Sequence, residues 1–159
     1  MLLLQLTTRR AAIIPIGLLP KRPSALQNLL VMKFGGTSMG GAVRMRVAAD
    51  IITAQKAKRP LLVVVSAMSK VTDLLLETLK RAEVGDHVAV DHNMRTLLER
   101  HLEVCRDLLD DGPVKRHRTA AIEAIESLIA EFQRIANGVL MLGERPPRSV
   151  DEAVAVGER

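Results

Sequence analysis

Lys33, Gly35, Gly36, Thr37 and Ser38 are the densest run of chemically useful residues in this 159-residue chain. A lysine supplies a mobile point charge. Two glycines lack a Cβ, so their amides can come close to an oxyanion. Two hydroxyls add further donors, and the set suits a phosphoryl group held by amides and a cation. A second run, Ser66 to Asp73, offers hydroxyls and a carboxylate, while Glu158 taken alone reads as a solvated helix-end glutamate. The first set would serve equally in a plain βα turn with a solvated lysine, so the surrounding elements decide its meaning.

Those elements read as a parallel α/β arrangement. Leu29 to Lys33 form an apolar run ending in a charge, the pattern of a buried strand, and the glycines follow at once. From Ala42 to about Lys58 apolar residues recur at Val43, Val47, Ala48, Ile51 and Ile52, which predicts an amphipathic helix with cations in its last turn. Pro60 ends it. Leu61 to Val65 are apolar throughout, as in a central strand covered on both faces. Strand, helix and strand in that order place both carboxyl ends at one edge of a sheet, where ligands collect. The loops Lys33–Ser38 and Ser66–Thr72 should therefore face one cleft.

Downstream the pattern is helical. Thr72 to about Val84 carries Leu75, Leu76 and Leu79, and Gly85-Asp86 breaks it. Val88 to Leu109 aligns Met94, Leu98, Leu102, Cys105 and Leu109; Thr119 to Ala136 aligns Ile122, Ile125, Ile129, Phe132 and Ala136. The turn Asp110-Asp111-Gly112-Pro113 between them predicts an antiparallel helical hairpin. Asn137-Gly138 should end the second helix, Pro146-Pro147 should lie in a loop, and the capping-box spacing of Ser149 and Glu152 predicts a short helix from Val150.

Lys33-Phe34-Gly35-Gly36-Thr37-Ser38 closely resembles the opening signature of the aspartokinases, a branch of the amino acid kinase family. Val65-Ser66-Ala67-Met68-Ser69-Lys70-Val71-Thr72-Asp73 is similar to that family's second block, Val-Ser-Ala-x-x-x-x-Thr-Asn/Asp, and Gly157-Glu158-Arg159 to the start of its third, Gly-Glu-Arg/Leu. The three blocks come in the family's order and span Leu29 to Arg159. Two positions depart from it: Lys70 stands where many relatives carry a smaller residue, often glycine, and Asp73 stands for the common Asn.

The resemblance implies a partial three-layer αβα sandwich of the amino acid kinase (carbamate kinase-like) type with a helical hairpin insertion. It implies ATP phosphates on Lys33, Phe34, Gly35, Gly36, Thr37 and Ser38, with Lys33 catalytic. Thr72 and Glu158 would hold L-aspartate, and Ser66 would line the same pocket. The family's reaction is attack of the aspartate side-chain carboxylate on the γ-phosphate of Mg-ATP, giving 4-phospho-L-aspartate. The attacking carboxylate is already ionised at neutral pH, so no general base is needed. Magnesium would be held by ATP rather than by protein ligands, and the full-length enzyme would be a homo-oligomer. The family's adenine pocket, second phosphate-binding lysine, substrate arginine and regulatory ACT domains would follow Arg159. The chain is therefore expected to be the N-terminal part of a catalytic domain, inactive alone. The same segment could come from a bifunctional aspartokinase–homoserine dehydrogenase. It could also be a non-catalytic α/β piece acting through association with a partner chain.

Composition narrows the remaining classes. Apolar residues make up 48% of the chain, and the only aromatics are Phe34 and Phe132, so the core must be aliphatic. Net charge is +5, but Arg9, Arg10, Lys21 and Arg22 precede every acidic residue. Removing those four from the 23 basic residues leaves 19 against 18 acidic, a nearly neutral body. With almost no aromatic faces for base stacking, nucleic-acid binding is not expected. No apolar run reaches the ~20 residues of a membrane span. One cysteine, Cys105, allows no internal disulfide and suits the cytoplasm. His101 and Cys105 share a helix face but lack a third ligand, His87 and His92 read as surface, and Lys115 to Arg118 read as a solvated turn. There is no Walker A motif.

Residues 1–28 are apolar and basic, contain Pro15, Pro20 and Pro23, and precede the first block. They read as a disordered extension left by an upstream start codon in preference to a targeting peptide. Deleting them should leave the thermal midpoint nearly unchanged. A large drop in a calorimetric melt would place them in the fold.

Overall fold

The computed structural model describes residues 28–110 and 112–159. The expected extension, residues 1–28, thus lies outside the described residues except for its last position. The chain runs β1 (Leu30–Phe34), α1 (Ala42–Lys56), β2 (Leu61–Val65), α2 (Val71–Glu83), α3 (His87–Leu109), a 3-10 turn (Gly112–His117), α4 (Arg118–Leu142) and α5 (Pro147–Gly157). The fold is α/β. β1 and β2 pair in parallel, from Leu30 opposite Leu61 to Phe34 opposite Val65. Both strands therefore finish at the same edge, as the alternation of strand and helix predicts.

The main core is helical. Leu75, Leu79 and Ala82 of α2 meet Val90, Met94 and Leu97 of α3, Phe132, Ala136 and Val139 of α4, and Ala153 and Val156 of α5. α3 and α4 pack together after the short 3-10 turn, forming the expected hairpin. Thr78, fully buried in α2, satisfies its hydroxyl by donating to the Leu74 carbonyl at 2.7 Å. Gly85 takes a left-handed φ of 74° between α2 and α3, and Asp86 caps α3 by accepting from the Ala89 amide at 3.0 Å. The Arg145 guanidinium meets the Glu83 carboxylate at 3.1 Å, tying the α4–α5 link to the end of α2.

Four expectations need correction. The strands are not covered on both faces: Val31, Leu62 and Val64 are 58%, 52% and 44% exposed. Alternation and register put them with Lys33 on one open face of the sheet. A continuous apolar run shows that a strand suits burial; it does not supply the layer that would bury it. The apolar stripe of α1 is open for the same reason. Val43, Val47 and Ile51 are exposed, and only Ala42 and Ala48 are buried, where α1 packs on β2 and α3.

The other two corrections concern helix ends. α4 does not stop at Asn137-Gly138 but continues to Leu142 and ends at Gly143, whose φ of 64° makes the left-handed cap. Burial of Val139 against the core outweighs the poor helix propensity of one glycine. α5 begins at Pro147 rather than Val150, with no side-chain cap from Ser149. Proline with φ preset for the first helical position wins over the capping box.

These ends generate a paired prediction. A Cβ at Gly138 meets nothing within 4 Å, so Gly138→Ala should stabilise by about 0.5–1 kcal/mol. Gly143→Ala should destabilise by about 1 kcal/mol, because its backbone is left-handed. Urea unfolding of both variants would show opposite signs; equal signs would contradict the observed helix end.

Candidate functional site

The turn after β1 is closed by its own backbone. The Gly35 carbonyl accepts from the Ser38 amide at 2.8 Å and the Met39 amide at 3.1 Å. Among the described residues, the Gly36 and Thr37 amides donate to no backbone acceptor, which leaves them free for an anion. Arg44 on the first turn of α1 donates to the Thr37 carbonyl at 2.7 Å and steadies the loop from behind.

The turn after β2 is anchored on two sides. The Ser66 amide donates to the Phe34 carbonyl at 3.1 Å, carrying the sheet pairing one step past the strands. Ala67 and Met68 pack against the helical core. Arg100 reaches from α3 to donate to the Ser69 carbonyl at 2.8 Å. The two turns touch: a Cβ on Gly36 would meet the Ala67 carbonyl oxygen at 3.4 Å and the Ser69 Cα at 3.6 Å. Those are ordinary van der Waals distances, so the two turns lie side by side at Gly36.

Their contact makes an open polar cleft of about 300 Å³ lined by Gly36, Thr37, Ser66, Ser69, Lys70, Thr72 and Asp73, with Ala67 and Met68. Four residues expected from sequence, Gly36, Thr37, Ser66 and Thr72, come together here. Ser66 also opens onto a second space, an apolar cavity of about 240 Å³ between the β2 turn and helices α2 to α5, and Glu158 and Arg159 stand on its wall. Glu158 thus shares a cavity with Ser66 but does not line the cleft that holds Thr72.

The remaining expected residues lie around this centre. Lys33 projects from the open sheet face, outside the cleft lining. Gly35 gives its carbonyl to the turn, and the Ser38 amide is spent there. Phe34 and Ser38 border a groove along Val43, Val47 and Ile51 of α1. Sequence reasoning gave Arg44 and Arg100 no role at the site and weighed His101 only as a metal ligand beside Cys105. The two arginines act on carbonyls 7 and 31 residues away, and His101 faces the cavity only because α3 docks there. No local pattern carries that information.

Gly157 has a packing role. A Cβ there would lie 2.5 Å from a δ-carbon of Leu75, so α5 approaches α2 closely enough that a methyl group would force the Leu75 side chain to shift. That approach sets where Glu158, the cap residue of α5, emerges. Arg159 is held by the Glu131 carboxylate at 2.6 Å. Cys105 is buried, and desolvation raises its thiol pKa, with the Arg118 charge partly opposing the rise. Such a thiol is a poor nucleophile at neutral pH. Among the described residues no group of three or more His, Cys, Asp or Glu side chains could hold a metal, and no helix is long and apolar enough to cross a membrane.

The model of the amino acid kinase family matches residues 28–159. The chain is 42% identical over 80 residues to bifunctional aspartokinase/homoserine dehydrogenase 2, chloroplastic, of Arabidopsis thaliana, covering 50% of this chain and 8% of that protein. It is 32% identical over 130 residues to aspartokinase 1, chloroplastic, of the same plant, covering 80% and 21%. Among solved structures it is similar to E. coli aspartokinase III in complex with lysine and aspartate (T-state), with a TM-score of 0.66 and 25% identity over 82% of this chain and 26% of that one. The same enzyme with aspartate and ADP (R-state) gives 0.64 and 26% over the same shares. The chain therefore spans about a quarter or less of the length of these relatives.

Lys70 explains one departure from the aspartokinase pattern. It holds a left-handed φ of 64° at the N-cap of α2, a conformation that costs an L-residue roughly 1–2 kcal/mol and glycine little. Lys70→Gly should therefore stabilise the chain by up to about 1 kcal/mol, and the β-branched Lys70→Val should destabilise it. Denaturant midpoints would check both; a Lys70→Gly variant less stable than its parent would mean that the side chain, not the backbone, governs this turn.

Proposed function

Because the chain belongs to the amino acid kinase family and, within it, to the aspartokinases, we propose that residues 29–159 provide part of a catalytic domain. That domain transfers the γ-phosphoryl of ATP to the side-chain carboxylate of L-aspartate. The product, 4-phospho-L-aspartate, opens the route to lysine, threonine and methionine. The observation that carries this reading is the seating of Gly36 on Ala67 and Ser69, which joins the two turns at one cleft with the Gly36 and Thr37 amides unspent.

In this reading the cleft aligns two anions, a task that needs positioning and charge neutralisation more than covalent chemistry. Gly36 and Thr37 offer amides to the phosphates, with Phe34, Gly35 and Ser38 shaping the turn. Lys33 reaches round from the strand edge as the mobile cation. Ser66 and Thr72 present hydroxyls to the amino acid, and Glu158 offers an opposite charge to its ammonium group. Magnesium, carried on the nucleotide, would neutralise phosphate charge. We place the enzyme in the cytoplasm as a homo-oligomer; the plant relatives are named as chloroplastic. A second reading, the same segment within an aspartokinase–homoserine dehydrogenase, is favoured by the bifunctional plant relative.

The test is a hydroxamate assay for acyl phosphate with ATP, magnesium and aspartate. The 159-residue chain alone should give no signal, since misalignment forfeits much of the ~7–11 kcal/mol that positioning supplies. A polypeptide extended with the following segment of an aspartokinase should be active and lose that activity on Lys33→Ala. Turnover by the short chain would refute the incompleteness, and an active Lys33→Ala would refute the role of the lysine.

A further inference from the structure

The cavity beneath Ser66 has a chemistry that aspartate does not use. Its body is hydrocarbon, from Leu97 on α3 to Ile125 and Phe132 on α4. Its volume of about 240 Å³ exceeds the ~150 Å³ apolar cavity that stays dry and takes up benzene. Polar groups are few and lie on the wall. Arg159 is engaged by Glu131, whereas Glu158 has no ion-pair partner among the described residues. His101 also stands on the wall, with Nδ1 2.6 Å from the Leu97 carbonyl. An unpaired carboxylate over a hydrocarbon pocket is complementary to a cation with an apolar body.

We propose that this cavity binds a small primary ammonium ion carrying a compact hydrocarbon group, with the ammonium at Glu158 and the hydrocarbon among Leu97, Ile125 and Phe132. The inference rests on the reading of Glu158 as the anchor for an ammonium group. It adds that a hydrocarbon-bearing ammonium competes with aspartate for that anchor, because aspartate has no apolar group to fill the space below. Such a ligand would act as a competitive inhibitor with respect to the amino acid and leave the nucleotide turn untouched.

Benzylammonium is the probe, titrated into the 159-residue chain by calorimetry and by carbon-13 methyl NMR. Benzyl alcohol serves as its neutral counterpart. Benzylammonium should bind one to one, shift the Leu97 and Ile125 methyls, and bind about fivefold tighter than the alcohol at low ionic strength. Glu158→Gln should erase that preference, and Ile125→Trp should fill the cavity and abolish both. Should Ile125→Trp fail to fold, the methyl shifts of the parent chain locate the ligand instead. Absence of binding, shifts away from Leu97 and Ile125, or equal affinity for the alcohol would overturn the proposal. Aspartate competition separates the two readings. In the extended polypeptide, benzylammonium bound in the cavity but not displaced by aspartate would uphold the cavity and defeat both the competition and Glu158 as substrate anchor. Aspartate binding without benzylammonium binding would defeat the cavity and leave the anchor standing.

Discussion

The turn Ser66 to Lys70 bears the organisation of this molecule. On one side it continues the sheet, through the Ser66 amide and the Phe34 carbonyl. On the other, Ala67 and Met68 sink into the helical core. The hydrogen bond from Arg100 to the Ser69 carbonyl holds it across 31 residues of sequence. A half-buried bond from a charged donor is typically worth about 1.5–3 kcal/mol, enough to fix a turn that would otherwise sample several shapes. The sheet contributes little core of its own, so this joint largely decides where the strand ends point. Gly36, leaning on the same turn, inherits its position.

Two spaces of unlike character meet at that joint. The cleft toward Thr37 and Thr72 is polar and open; the cavity toward Phe132 is apolar and more enclosed. Ser66 borders both. A group held at the boundary faces water and free amides on one side and hydrocarbon on the other, and charges near the hydrocarbon side interact more strongly than they would in bulk solvent. The separation follows from chain order: the turns supply amides and hydroxyls, while the α3–α4 hairpin supplies the branched side chains.

Much of this arrangement is legible in the residues themselves. The parallel pair of strands, the helix at each turn and the hairpin follow from apolar period and glycine placement, and Gly36, Thr37, Ser66 and Thr72 were readable as neighbours because parallel strands end at one edge. What could not be read depends on packing between distant segments. Whether Val31, Leu62 and Val64 would be covered is a matter of what lies above them, not of their own chemistry. Helix ends failed where a local signal met a tertiary one: Val139 draws α4 past Gly138, and only the left-handed Gly143 stops it. Glu158 was identifiable as an anionic group, but its place beside the cavity depends on α5 closing onto Leu75 at a glycine.

Cys105 gives α3 a built-in clock. It is the chain's one thiol, buried on α3 at the side facing Arg118, and burial keeps it protonated at neutral pH. An alkylating reagent reaches it when the packing around α3 opens, and the sulfur then regains its solution acidity. When closing is fast relative to modification, the labelling rate relative to that of an unfolded peptide measures how rarely that packing opens. The motion of the element that carries Arg100, and so the steadiness of the joint it pins, can be timed without introducing any foreign group into the protein.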